Sequence, residues 1–207
     1  MNISKIAWNY YKNQILKNRR KDYFKAGNLI LIVTSKCNFK CRHCLRDFSQ
    51  ARDLPLEIAQ KAILGAKKYN YKLVALTGGE PLLYPDLKTL IEFIVANGYI
   101  FSLVTNGFNF KHFVDLFKKY RDKISYIAFS LESIHREQHD FMRQKGSFDA
   151  LLEDFQICRE SKIPFRTVTA VSTMNYDQIF DIALFAKKKG ARSLSMTTVL
   201  PCPRSQD

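Results

Sequence analysis

The sequence predicts an α/β fold, a partial (β/α)6 TIM-like barrel of parallel strands. Six short apolar segments rich in β-branched residues alternate with segments whose apolar residues recur at helical spacing. Strict alternation of this kind produces parallel strands joined by right-handed crossovers. The 207 residues, 46% of them hydrophobic, are enough for one globular domain with a sizeable core. A doubly wound sheet or a full barrel has the same alternation.

The elements follow a basic N-terminal helical extension, predicted for residues 1–28. Its apolar positions include Ile3, Ile6 and Tyr10, and residues 1–25 carry seven Lys or Arg and one Asp. The first strand is apolar and too short for a helix. The first helix begins at Pro55, and a later one is capped by Asp86 and ended by Gly98. The predicted strands are 29–34, 72–77, 99–105, 124–131, 165–171 and 193–200, and the predicted helices are 55–69, 87–97, 110–120, 148–160 and 177–189.

The last predicted strand has no covering helix before the chain stops at Asp207. We therefore expect residues 29–207 to be a partial barrel truncated after strand six, or to have that edge covered by something else.

Charge and hydropathy exclude several classes of protein. The longest apolar run, residues 29–33, is too short to span a bilayer, and no secretory signal precedes it, so we expect a cytoplasmic protein. Lys and Arg exceed Asp and Glu by 33 to 19, a net charge of +14. The excess of positive charge is spread over the N-terminus and the helix ends, so it does not favour nucleic-acid binding. It does favour binding of acidic partners.

Three of the five cysteines, Cys37, Cys41 and Cys44, have the spacing C-x3-C-x2-C directly after the first strand. Such a cluster in a reducing compartment indicates a metal site. A structural zinc site needs four ligands, and His43 would strain a tetrahedron that already contains its neighbour Cys44. Three cysteines on a four-iron cluster leave one iron open for chemistry. A zinc-dependent nucleic-acid-binding module and a non-catalytic scaffold remain alternatives.

The cysteine spacing, followed by Gly-Gly-Glu-Pro at residues 78–81 after the second strand, resembles the radical S-adenosylmethionine (SAM) superfamily over residues 29 to about 201. The resemblance implies a [4Fe-4S] cluster on Cys37, Cys41 and Cys44, and SAM as the second cofactor. In that family, reductive cleavage of SAM gives a 5′-deoxyadenosyl radical that abstracts hydrogen from a substrate.

The resemblance also implies roles for the residues at the strand ends. Gly78 and Gly79 lack Cβ, so backbone approaches the methionine moiety closely. Pro81 fixes the turn, and the Glu80 carboxylate meets the SAM ammonium group. A plain strand-to-loop turn is the competing interpretation of the glycine pair.

Further residues match the family in turn. Ser130 and Glu132 resemble its ribose contacts, although the family often has Asp at the second position and Gly where Ser133 stands. Thr105 and Asn106 match its Thr-Asn-Gly after the third strand, which is equally explicable as a turn.

Three single residues complete the predicted site. His43 lies beside the last cysteine, a position that is near the adenine of SAM in the family. The competing interpretation is an exposed loop histidine. Arg143, in a His-Asp-x-x-Arg segment, meets the SAM carboxylate or forms a surface salt bridge. Leu200 offers its backbone to adenine.

The same segments look most like the superfamily branch that bears SPASM or twitch extensions and modifies peptides or cofactor precursors. Cys202 is a lone cysteine where such an extension would begin. The GTP-cyclase branch is similar through the barrel. The expected partners are a peptide or small-molecule substrate and an acidic electron donor such as flavodoxin or ferredoxin, which the basic surface would suit.

Overall fold

The computed structural model describes residues 27–46 and 51–200. The predicted N-terminal helix and Cys202 lie outside these residues.

Six parallel strands form one open sheet in the order β1-β2-β3-β4-β5-β6, which confirms the predicted fold class. Each strand therefore pairs with its neighbour along the chain, as in a barrel and unlike the reversed strand order of a doubly wound sheet. The strands are β1 Asn28–Thr34, β2 Leu73–Gly78, β3 Ile100–Thr105, β4 Ile124–Ser130, β5 Phe165–Val171 and β6 Leu194–Thr198.

The helices between these strands agree with the predicted ones in position. Two differences stand out: the predicted helix over 110–120 starts as a 3-10 turn, Phe110–Phe113, and α4 was not predicted because its seven residues make barely two turns. The helices are α1 Leu56–Ala66, α2 Leu87–Ala96, α3 Val114–Lys119, α4 Arg136–Met142, α5 Ser147–Glu160 and α6 Ile179–Lys188.

The two faces of the sheet have different environments. Alternate strand residues, among them Val33, Leu76 and Phe129, pack with the helices in one hydrophobic core. The intervening residues lie on the opposite face, which we call the inner face. The strand register places the following residues on it: Ile30, Ile32, Ala75, Thr77, Ser102, Val104, Tyr126, Ala128, Arg166 and Val168.

Because all six strands are parallel, their carboxyl ends meet at one rim of the sheet. The cysteine loop, the Gly-Gly-Glu-Pro turn and the Asn106-Gly107 turn follow β1, β2 and β3 at that rim. This common edge is what brings the predicted site together.

Candidate active site

The three cysteines lie on the loop that leaves β1, and all three are free thiols. Cys41 is buried, with 7% of its surface exposed, while Cys37 and Cys44 are half-buried. The Phe39 amide donates to Cys37 Sγ (3.4 Å), and the Arg42 amide donates to the carbonyl of Met142 at the end of α4 (3.0 Å). The loop is therefore fixed at both its first cysteine and its middle.

Burial raises the pKa of the Cys41 thiol, the nearby Arg143 guanidinium lowers it, and Cys37 and Cys44 raise it further. The three sulfurs thus lie within electrostatic range of one another. Within residues 27–46 and 51–200, no three His, Cys, Asp or Glu side chains converge tightly enough to hold a single metal ion. Zinc needs its ligand atoms at about 2.0–2.3 Å from one point. An iron–sulfur cluster is larger and takes each cysteine on a different iron, so this donor set fits a cluster better than an ion.

Glu80 is buried, with 1% of its surface exposed, and its carboxylate is held by the protein itself. Oε1 accepts hydrogen bonds from the Leu82 amide (3.0 Å) and the Thr105 hydroxyl (2.7 Å), and Oε2 accepts one from the Asn106 amide (2.7 Å). Burial raises the pKa of Glu80, and these three hydrogen bonds oppose that shift. These bonds use three of the roughly four acceptor positions of the carboxylate, and the predicted contact with the SAM ammonium group remains a prediction.

The two glycines before Glu80 allow close backbone packing against the start of the cysteine loop. A Cβ on Gly78 (φ +135°) would lie 2.2 Å from the carbonyl oxygen of Thr34, and one on Gly79 would lie 2.0 Å from that of Lys36. The Gly79 amide donates to Thr34 and the Glu80 amide to Lys36, both at 2.7 Å. Close packing of these two backbone segments therefore explains the glycine pair without a bound ligand.

Asn106 connects this carboxylate to the cysteine loop. Its side-chain Nδ2 lies 3.8 Å from Cys37 Sγ and 2.8 Å from Asn38 Oδ1, while its Oδ1 accepts from the Phe108 amide (2.9 Å). Together with the Glu80 contacts, this makes one hydrogen-bonded network across the loops after β1, β2 and β3. Thr105 and Asn106, predicted as cofactor contacts, are members of that network.

Glu132 and Arg143, predicted to meet different parts of SAM, form a buried ion pair. Arg143 Nη1 lies 2.8 Å from Glu132 Oε1, and the two side chains are 8% and 2% exposed. Glu132 Oε2 accepts from the Ala170 amide at 2.7 Å. His43 Nε2 lies 3.5 Å from the same Glu132 oxygen. The Arg143 interaction is therefore an internal one rather than a surface salt bridge.

His43 is mostly buried, so it is not an exposed loop histidine. Burial lowers its pKa, Glu132 raises it, and Arg143 lowers it. The lowered pKa makes the neutral imidazole the dominant form near pH 7.

Glu132 is held in place by residues from two segments, one after β4 and one after β5. His139, on α4, accepts a hydrogen bond from the Glu132 amide at Nδ1 (3.2 Å), and Asn175 donates to the Glu132 carbonyl (2.8 Å). Burial, with a smaller contribution from nearby Arg143, lowers the pKa of His139 to about 3, so its imidazole is neutral. Both residues support the strand end rather than face solvent, with 1% and 0% of their surfaces exposed.

Three predicted residues lie outside these networks. Ser130 is the half-buried last residue of β4, Pro81 is buried at the start of a 3-10 turn, and Leu200 is 58% exposed beyond β6. Their predicted roles toward SAM remain predictions.

A sequence profile of the Radical SAM superfamily matches residues 31–186. The chain belongs to this superfamily. Its radical SAM domain contains all three cysteines, the Gly-Gly-Glu-Pro turn and the Glu132–Arg143 pair. Membership implies SAM and an iron–sulfur cluster as cofactors, and the donor set described above fits the cluster.

Curated relatives of this radical SAM chain come from several branches. It is 27% identical over 179 residues to the antilisterial bacteriocin subtilosin biosynthesis protein AlbA of Bacillus subtilis, covering 84% of this chain and 40% of that protein. It is 28% identical over 174 residues to the GTP 3′,8-cyclase of Campylobacter curvus, covering 79% of this chain and 53% of that protein. The chain thus spans about half or less of the length of these relatives.

The fold is also that of solved radical SAM structures. Streptococcus suis SuiB bound to S-adenosylmethionine superposes with a TM-score of 0.75 at 17% identity, covering 98% of this chain and 48% of that chain. SuiB bound to its precursor peptide SuiA gives a TM-score of 0.74. At such identities the similarity establishes the fold alone. Among the described residues, no helix is both long and apolar enough to cross a membrane.

Asp154 packs against the loop after β3 and was not predicted from the sequence. It lies on α5 with 2% of its surface exposed, and its Oδ2 has no hydrogen-bond partner among the described residues. A Cβ on Gly107 (φ +87°) would lie 2.4 Å from that oxygen, so the carboxyl packs against the Asn106-Gly107 turn. Burial raises the pKa of Asp154 to about 8, although Lys111 lowers it.

We expect Asp154→Asn to remove a pH dependence of stability. The folded protein keeps this proton up to about pH 8, whereas an unfolded Asp releases it near pH 4. The wild type should therefore lose stability as pH rises between about 4 and 8, on the order of a few kcal/mol. Urea unfolding at pH 5, 6.5 and 8 measures this. Asp181→Asn, the same substitution at an exposed position of α6, is the control, and parallel curves for wild type and Asp154→Asn would contradict the expectation.

Proposed function

We propose that this chain is the catalytic barrel of a radical SAM enzyme that holds a [4Fe-4S] cluster on Cys37, Cys41 and Cys44. The observation that carries the proposal is the network joining the cysteine loop to the Glu80 turn inside a domain of this superfamily. When bound, the cluster and SAM supply reductive cleavage of SAM to a 5′-deoxyadenosyl radical that abstracts hydrogen from a substrate.

The chain's own residues orient the cofactors and exclude water. Glu80 fixes the loop after β3, so that Asn106 Nδ2 lies beside Cys37 Sγ, where an amide donor stabilises a thiolate. Arg143 adds a buried positive charge near Cys41, which favours its ionised, ligating form. Glu132 balances that charge and holds Arg143 in one orientation. We therefore propose that Glu80 has a positioning role in addition to the direct contact expected from the motif.

For the substrate, we propose a peptide or cofactor precursor. The support is the similarity to AlbA, a bacteriocin biosynthesis protein, and the shared fold with SuiB bound to a precursor peptide. The similarity to GTP 3′,8-cyclase makes a nucleotide the second candidate. The net charge of +14 supports docking of an acidic cytoplasmic electron donor such as flavodoxin or ferredoxin.

The proposal is tested by anaerobic reconstitution with iron and sulfide, followed by reduction and electron paramagnetic resonance with and without SAM. We expect a [4Fe-4S]⁺ signal that SAM perturbs, and 5′-deoxyadenosine from the same sample. Stoichiometric zinc with no cluster would instead favour a zinc-binding protein. A cluster that never cleaves SAM would contradict the catalytic assignment for this chain.

A further inference from the structure

Arg166, the second residue of β5, has a charge with no acidic partner among the described residues. The guanidinium Cζ lies 3.6 Å from the centroid of the Tyr126 ring. Its Nε is buried and makes no hydrogen bond within the part of the chain that the structure describes. Arg166 as a whole is half-buried, and a guanidinium offers planar N–H donors that suit a carboxylate or a phosphate. The described residues supply no acidic group to pair with this guanidinium, which leaves the position open to an anionic ligand.

The strand register places both side chains on the inner face, below the cofactor site. Arg166 pairs with Ala128 of β4, and Tyr126 pairs with Ser102 of β3. The paired neighbours are small and buried, at 0% and 1% exposed, whereas Tyr126 and Arg166 themselves are half-buried. Ser130, at the rim, is two residues beyond Ala128, a rise of about 7 Å along the strand. A group bound by Arg166 would thus lie within one small molecule's length of the site where SAM chemistry is proposed.

The inner face also carries apolar side chains that the core does not use. Ile30 and Ile32 of β1 are 64% and 66% exposed. Ile30 is in register with Ala75, Ser102 and Tyr126, so one row of residues runs from the isoleucine to the tyrosine across four strands. At about 4.8 Å per strand the row is about 14 Å wide. A ligand lying along it would meet an apolar surface at β1 and a cationic one at β4 and β5.

We propose that Arg166 and Tyr126 form a subsite for an anionic oxygen group of the substrate, a carboxylate or a phosphate. The inference deepens the proposed function, since it concerns the substrate of the same barrel. Arg166 supplies paired N–H donors in a fixed plane, and the ring beneath it restricts its rotamers before binding. The Tyr126 hydroxyl adds a further donor beside it. Binding of the group at this depth positions the rest of the substrate toward the rim.

The test is isothermal titration calorimetry on the reconstituted protein with defined probes. The probes are inorganic tripolyphosphate, GTP, and the capped peptides Ac-Ile-Glu-Ile-NH2 and Ac-Ile-Gln-Ile-NH2. We expect Arg166→Gln to weaken binding of the anionic probes about ten-fold or more, and Tyr126→Phe to weaken it less. Arg166→Lys keeps the charge but loses the planar pair of donors, so it should be intermediate. Arg159→Gln, an equal charge change at an exposed position of α5, should have no effect.

The outcomes separate the sources of the anion. Arg166-dependent binding of the glutamate peptide but not of the glutamine peptide identifies a carboxylate, and Arg166-dependent binding of tripolyphosphate or GTP identifies a phosphate. Equal binding of every probe to wild type and Arg166→Gln overturns the subsite. If Arg166→Gln does not fold, Arg166→Lys decides by the same comparison. Formation of 5′-deoxyadenosine from SAM, assayed on the same samples, tests the proposed function separately because it needs no probe.

Discussion

Replacing Cys41 with alanine is expected to abolish both iron–sulfur assembly and formation of 5′-deoxyadenosine. Cys41 is the middle of three thiols and the most buried of them. Two thiolates cannot hold a cluster that needs three, so the remaining cysteines should leave at most traces of bound iron. Iron and sulfide content after anaerobic reconstitution, together with SAM cleavage, measures the loss.

Cys158→Ala is the matched control for this variant. Cys158 is also a buried free thiol, but it lies within α5 and packs in the hydrophobic core. Burial raises the pKa of its thiol well above the usual range, so it stays protonated and is a poor ligand. The control should lose stability while keeping its iron and its activity. If Cys41→Ala still forms 5′-deoxyadenosine, the cysteine assignment is wrong.

Replacing Glu80 with alanine is expected to weaken SAM binding while leaving the cluster in place. The change leaves the Leu82 amide, the Asn106 amide and the Thr105 hydroxyl without their buried acceptor. Each unpaired donor costs about 1–3 kcal/mol, so the free energy of unfolding should fall by about 3 kcal/mol or more. This is equivalent to a fall in Tm of roughly 6–12 °C. The cysteines remain, so iron content should hold, as analysis of the reconstituted protein would show.

A second substitution separates a positioning Glu80 from one that contacts SAM directly. Thr105→Val removes one hydrogen bond to the carboxylate, and the acceptor of the Gly107 amide, without touching Glu80 itself. If Glu80 acts by holding the loop, this variant should weaken SAM affinity in the same direction by a smaller factor. Unchanged SAM affinity in Thr105→Val, together with a large loss in Glu80→Ala, would instead indicate that Glu80 acts through its direct contact with SAM. Glu57→Ala, at an exposed helix position, controls for loss of a carboxylate.

The fold could be predicted because each of its elements has a local pattern. Strands in a parallel sheet are covered on one or both faces, so β1 and β2 appear as mainly apolar runs. The helices that cover the sheet have apolar positions at helical spacing. The pattern failed at Arg136–Met142, where seven residues give too little periodicity, and at Phe110–Phe113, where aromatic spacing did not distinguish a 3-10 turn from an α-helix.

The position of the site was equally predictable, but the partners of its side chains were not. A strand end followed by Cys37, Gly78 or Asn106 must lie at the carboxyl rim of a parallel sheet, so the sequence places these residues together. Which atom each side chain contacts depends on distances that no spacing along the chain encodes. Asp154 and Arg166 carry no motif at all, and only their burial and their neighbours single them out.

By itself, the sequence determined the order of strands and helices, the rim that carries the chemistry, and the three thiols that belong to it. Only the tertiary structure decided that the Glu80 carboxylate faces Thr105 and Asn106, 25 and 26 residues away. It also decided that Glu132 pairs with Arg143 inside the protein. The physical reason is that apolar periodicity is a local property of the chain. The partner of a buried polar group, by contrast, is set by strand order and register, which bring distant residues within hydrogen-bonding distance.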